Sequence, residues 1–261
     1  MDNCSEVAIW KYMDFAKFAY LVTTRSLHFA CPSRFQDPYE GLLPRSHIEA
    51  ESKMLRRYVD DMIALRPAFA EQSKISLELF DNILEKFARE VRGAHEEAAA
   101  AFGVCCWHKS EYESAAMWRL YSASGQGIAI ESTIGRLKAS LGDTAGLQID
   151  SVRYMDFDED PIEKGHKHYA LFIKRKCFEY EKELRATVLL PVKGEGISLP
   201  CDLGVLIKAI HVSPLVEEYV TRAVENLCAG KVHSLRVPVL QSKLFDRPDY
   251  GIDVDVKAAA V

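Results

Sequence analysis

Residues 183–192, ELRATVLLPV, constrain the fold more than any other stretch. Side chains alternate faces along a strand, so Leu184, Ala186, Val188 and Leu190 fall on one side and Glu183, Arg185 and Thr187 on the other. The first face must cover a core. Extending the strand back to Glu181 would put Glu181, Glu183 and Arg185 in one row. An exposed strand face usually holds Thr or Lys, so acid, acid and arginine are not needed for folding. Crowded carboxylates raise one another's pKa and a nearby arginine lowers it. The row is therefore a candidate catalytic group, able to move a proton or to face a developing cation. A solvated edge with an ordinary ion pair is the commoner alternative.

The other elements follow from local pattern. Strands are predicted at 8–12, 26–30, 103–107, 127–132, 147–155, 204–214 and 236–240. Residues 13–23 set Phe15, Phe18, Ala19 and Val22 at helical spacing, with Asp14 at the start. Ser110 and Glu113 read as a capping box for a helix from Glu111, ended by Gly125. Further helices are expected from Thr133 to about Leu141, over about 160–177 and over 215–229. Charged, Leu-rich helical stretches at 47–66 and 74–101, parted by Pro67, read as a helical insertion or cap around 44–101. Strict βαβ alternation is absent. The expected fold is α+β, one domain over 1–261, with a mixed, mostly antiparallel sheet flanked by helices.

Composition removes several classes. A formal net charge of −5 argues against general affinity for nucleic acid. Seven cysteines, an odd number without a C-x-x-C pair, fit neither a disulfide framework nor a zinc ribbon. No basic-then-apolar leader opens the chain, and no apolar run approaches the roughly 18 residues of a membrane span. A cytoplasmic protein without a membrane partner is expected. The G-x-G-x-x-G, G-x-x-x-x-G-K, H-E-x-x-H and G-x-S-x-G motifs are all missing.

Three other clusters carry chemistry. The stretch HFACPSRFQDPYEG (28–41) sets Arg34, Asp37 and Glu40 in one loop. Ser114, Trp118 and Tyr121 share one face of their predicted helix. Trp118 and Tyr121 can stack on a base or nicotinamide ring, although packing in the core is the commoner use of such rings. His108 reads as a loop-end or capping histidine. His166 and His168 do not share a helix face, so no metal-ligating residues are assigned. The run Lys174–Arg175–Lys176 reads as a solvated face, or else as a contact for phosphate or an acidic partner.

Taken in order, WKY (10–12), LHFACPSRFQDPYE (27–40), MWRLYSASGQGIAI (117–130) and FEYEKELR (178–185) resemble the DUF2971 family, a bacterial family of unknown function. Gln36 stands where that family usually has Asn. The resemblance runs from Trp10 to about Val212. It carries no activity, but it draws Tyr12, Asp37, Glu40, Trp118, Tyr121, Glu181, Glu183 and Arg185 toward one cleft.

More distantly, the order of elements resembles that of ADP-ribosyltransferases. That resemblance implies NAD as cofactor and Lys11 or Tyr12 at the first motif. It also implies Trp118 or Tyr121 on nicotinamide, and Glu183 orienting a ribose hydroxyl and stabilising an oxocarbenium-like transition state. Those enzymes carry a His or Arg at the first motif, and AIWKY has neither. The expected function is ADP-ribosyl transfer to a protein or nucleic acid, in a toxin or phage-defence setting. One alternative is a metal-dependent phosphodiesterase or nuclease holding Mg or Mn on Asp37, Glu40, Glu181 and Glu183, against which Arg185 would repel the cation. Another is a non-catalytic protein that binds a small nucleotide-like ligand or a peptide.

Overall fold

Strand β1 (Ala8–Asp14) hands the chain directly to helix α1 (Phe15–Thr24). Asp14 is the switch, its carboxylate accepting from Lys17 N at 2.8 Å. In this computed structural model, residues 5–47, 99–121, 126–160, 169–230 and 234–247 are described, with scattered positions between 49 and 86. The predicted helices at 47–66 and 74–101 lie largely outside the described residues, as do Gly125, His166 and His168.

The remaining elements, in chain order, are β2 (Ser26–Phe29), β3 (Phe102–Lys109), α2 (Ala115–Tyr121), β4 (Gly127–Thr133) and α3 (Ile134–Leu141). Then come β5 (Gln148–Ser151), β6 (Arg153–Met155), β7 (Ile173–Arg175) and β8 (Glu183–Leu189). The chain closes with β9 (Ile197–Pro200), α4 (Leu203–Leu206), β10 (Ala209–Val212), α5 (Glu218–Ala229) and β11 (Val239–Gln241). Seven strands form one sheet in the order β11-β10-β4-β1-β3-β8-β5. Its pairs are antiparallel apart from β10 with β11. The fold is α+β, with a mixed, mostly antiparallel sheet flanked by helices.

The sheet has two unlike faces. On one, Ile9, Trp107, Ile130, Leu184, Ala186 and Ile210 pack with Phe18 and Val22 of α1, Leu137 of α3 and Val224 of α5. On the other, Trp10, Tyr12 and Ala129 pack with Met117 and Trp118 of α2. Cross-strand register continues that second face, because Trp10 pairs with His108 and His108 with Glu183.

Four local expectations need correction. Helix α2 starts at Ala115, not Glu111, because Ser114 takes the cap: its carbonyl accepts from Trp118 N and its hydroxyl from Met117 N. Ser110 turns onto Tyr112 instead. The predicted strand 147–155 breaks at Val152, whose N–H goes to the Glu183 carbonyl (2.8 Å), freeing β6 to pair with β7. Within predicted helix 160–177, residues from Tyr169 onward form β7 between two 3-10 turns, Tyr169–Phe172 and Lys176–Glu181. The start of the predicted strand 204–214 is helical instead, as part of Leu203–Leu206, because Asp202 caps the N–H groups of Gly204 and Val205. No helix among the described residues is long and apolar enough to cross a membrane.

One irregularity positions the site. β1 pairs with β4 along its whole length but with β3 only at Ile9–Lys109 and Trp10–His108. Beyond that point the strands part. Ala30, just after β2, takes up the vacated edge of β3 through two bonds with Val104, at 3.0 and 2.8 Å.

Candidate functional site

A cleft of about 1160 Å³ opens where β1 leaves β3. On one side its lining includes Asp37, Glu40, Lys174, Glu181 and Glu183, with the rings of Tyr121, Phe178 and Tyr180. Segments distant in sequence therefore meet in one hollow.

The base of this side is a buried charge network. Arg185 is fully buried. Its Nε donates to Glu183 Oε2 (2.6 Å), its Nη2 to Glu40 Oε2 (2.8 Å), and its Nη1 to the Leu171 carbonyl (2.8 Å). Lys174 Nζ sits among three carboxylates, 2.6 Å from Glu181, 2.6 Å from Glu183 and 3.1 Å from Glu40. Two cations thus face three acids. A buried cluster with excess negative charge is costly, and the least tightly held acid relieves it by keeping its proton. Glu181 is that acid: burial and the hydrogen bond with Glu183 push it up to about 7. Glu183 moves the opposite way. Burial opposes its charge, but Arg185, the Glu181 hydrogen bond and Lys174 together hold it well below the usual carboxylate range.

The expected strand row is thus only partly present. Glu183 and Arg185 share a face of β8, but that face is buried rather than a solvated edge. Glu181 is not on the strand. It ends the 3-10 turn, Lys182 reverses the chain at φ 42, and Glu181 rejoins the acids through Lys174. Lys174 is the residue that sequence reasoning missed, having been assigned to a solvated face. The apolar run Ala170–Ile173 just before it is the one local sign that the chain there goes inside.

The opening loop is answered charge by charge. Glu40 goes inward to Arg185 and Lys174. Asp37 accepts from Arg175 Nη2 at 2.6 Å, and the Arg175 guanidinium lies 4.3 Å from the centre of the Tyr39 ring. His108 is buried within β3 rather than at a loop end, and its Nδ1 pairs with the Glu181 carbonyl at 2.6 Å.

The aromatic residues divide. Trp118 is buried, donates to Glu113 Oε2 (2.9 Å) and meets Tyr12 edge-on at 5.0 Å between ring centres. It does not line the cleft, since these contacts hold it in the core. Tyr12 lines the cleft but spends its hydroxyl on Ser114 N (2.8 Å), fastening α2 to the sheet. Tyr121, at the end of α2, lines the cleft and stays part-exposed. Lys11 also lines it.

A second polar group lies farther along the Trp10 face of the sheet, on β4 and β10. His211 stands between Glu131 (3.1 Å) and Glu113 (3.6 Å), and these acids raise its pKa although burial works against them. Among the described residues no group of three His, Cys, Asp or Glu is placed to hold a metal ion. No family model, no curated protein and no solved structure matches the chain.

Proposed function

We propose that the chain is a glycosyl-transfer enzyme of the ADP-ribosyl type, using NAD and acting on a protein or nucleic acid. Membership of the DUF2971 family belongs to the same proposal and is supported by the four ordered motifs alone. The observation that carries the functional reading is Glu181, a carboxyl with its pKa at about 7, on the wall of an aromatic-lined cleft. The cleft volume of about 1160 Å³ is above the roughly 300–1,000 Å³ of common small-molecule pockets, which supports a ligand larger than a single nucleoside.

NAD supplies a ribose–nicotinamide bond that breaks as positive charge develops on the ribose. Ionised Glu181 faces that charge and takes the proton of the incoming acceptor. Lys174 fixes the Glu181 carboxylate, and Glu183 with Arg185 fixes Lys174. The catalytic part first read for Glu183 moves to Glu181, because both Glu183 oxygens are already engaged. Tyr121, Phe178 and Tyr180 offer ring faces to a planar base.

A metal-dependent reading has less support. The Lys174 ammonium occupies the point among Glu40, Glu181 and Glu183 where a cation would sit.

The test is release of nicotinamide from NAD by the pure protein, alone and with cell extract. Release is expected to rise with pH through about 7, as Glu181 ionises, and to be lost in Glu181→Gln. No release, together with no saturable NAD binding, would remove the proposal.

A further inference from the structure

The cleft has two limbs of opposite electrostatic character. On the Glu181 limb Lys174, which lines the wall, and Arg175 and Arg185 beside it all pair with carboxylates. On the other limb, where β1 parts from β3, the cations lining the wall include two that pair with no carboxylate among the described residues. Lys11 Nζ donates to the Cys106 carbonyl (3.0 Å) and stands 5.5 Å from the centre of the Trp107 ring. Arg34 Nε donates to the Gly194 carbonyl (3.2 Å). A third cation, Lys17, is already bridged to Asp14 at 3.2 Å.

A second, independent observation lies beside Lys11. Trp107 lines the same cleft, is only 2% exposed, and its indole N–H has no hydrogen-bond partner among the described residues. A buried donor without an acceptor is rare, because it loses water and gains nothing in return. His28 completes the wall. Its Nδ1 lies 3.1 Å from Ser198 Oγ, which in turn lies 3.1 Å from the Tyr20 hydroxyl. Burial, then Lys11 and Arg34, push its pKa down, so the imidazole is neutral and adds no charge of its own. Two unmatched cations and an orphan donor in a concave wall complement an oxyanion.

We propose that this limb is a subsite for the diphosphate of a nucleotide ligand, with Lys11 and Arg34 supplying charge and the Trp107 indole N–H a hydrogen bond. The nucleotide part rests on the glycosyl-transfer reading above; the anion part stands on the unmatched groups themselves.

The test is calorimetric titration of the full chain with inorganic pyrophosphate, ADP and adenosine. Pyrophosphate and ADP are expected to bind saturably and more weakly as salt is raised, with adenosine roughly tenfold weaker than ADP. Arg34→Gln, at an exposed position, and Lys11→Met should each weaken both phosphate probes roughly tenfold and leave adenosine unchanged. Trp107→Phe keeps the ring, removes the donor, and should weaken them several-fold. No pyrophosphate binding, or binding indifferent to Arg34→Gln and Lys11→Met, overturns the subsite. ADP binding no tighter than pyrophosphate overturns its nucleotide part. The two proposals fail separately. Nicotinamide release with phosphate affinity unmoved by these variants sinks the subsite alone. ADP binding that depends on Lys11 and Arg34, retained in Glu181→Gln but without turnover in the wild type, sinks the enzyme reading alone.

Discussion

Three acids converge on the ammonium of Lys174, whose side chain is only 8% exposed. Removing one partner of a buried ion cluster leaves the others uncompensated, which is far worse than never having buried them. Lys174→Met is therefore expected to lower stability by about 3–5 kcal/mol, read from the urea midpoint at pH 7. A loss below about 1 kcal/mol would mean that the acids neutralise themselves by taking protons. Glu181 behaves differently, because its folded pKa of about 7 lies above its ordinary 4.5. Between those values the folded chain holds a proton that the unfolded chain has released. Its contribution is complete below 4.5 and is lost as pH rises through about 7. Glu181→Gln mimics the protonated form. Its stability relative to wild type should improve from pH 4.5 to about 7 and level off above, and a constant difference over that range would show that Glu181 titrates normally.

At the scale of elements, α2 is short and is held by contacts rather than by propensity. The S-x-x-E pattern at Ser110 and Glu113 looked like its start. Glu113 is instead drawn away to Trp118, Ser242 and His211, and Ser114 takes over the cap. A local pattern lost to tertiary hydrogen bonds that no window of sequence contains. The β2–β3 contact offers a sharper test. A Cβ on Gly103 would lie 2.9 Å from Phe29 Cβ and 2.9 Å from Leu190 Cδ2. Phe29 Cβ cannot retreat without moving β2, whose end holds the vacated edge of β3. Gly103→Ala is expected to destabilise by about 1–3 kcal/mol in thermal melts. An unchanged melting temperature would mean that β2 is free to shift.

Across the whole molecule, the titrating groups set opposed limbs of stability. Glu113, drawn down to about 2, and Glu183, held lower than usual, contribute stability above 4.5 that is lost as pH falls. His211, raised by Glu113 and Glu131, contributes below 6.5 and loses that contribution as pH rises through its folded pKa. Between 4.5 and 6.5 the decline from Glu181 is opposed by His28 and His108, whose lowered pKa values favour the folded state as pH rises. The urea midpoint should be flattest in that interval and fall on both sides. His211→Asn should flatten the alkaline fall and Glu113→Gln the acid one. If neither variant changes its limb, the His211 cluster is not coupled to folding.

Strand period and helix spacing are local, and they were legible in the chain. They determined the faces of β8 and the course of β1 and α1. What covers a face is a different matter, because it depends on which distant segment packs there. The chain marked Glu183 and Arg185 as sharing one side, but only the packing of β7 and its two 3-10 turns put that side indoors and brought Lys174 to it. The cleft likewise has no local trace. It exists because β1 stays with β4 while β3 keeps β8 and accepts Ala30, a choice among hydrogen-bond partners made only when the sheet assembles.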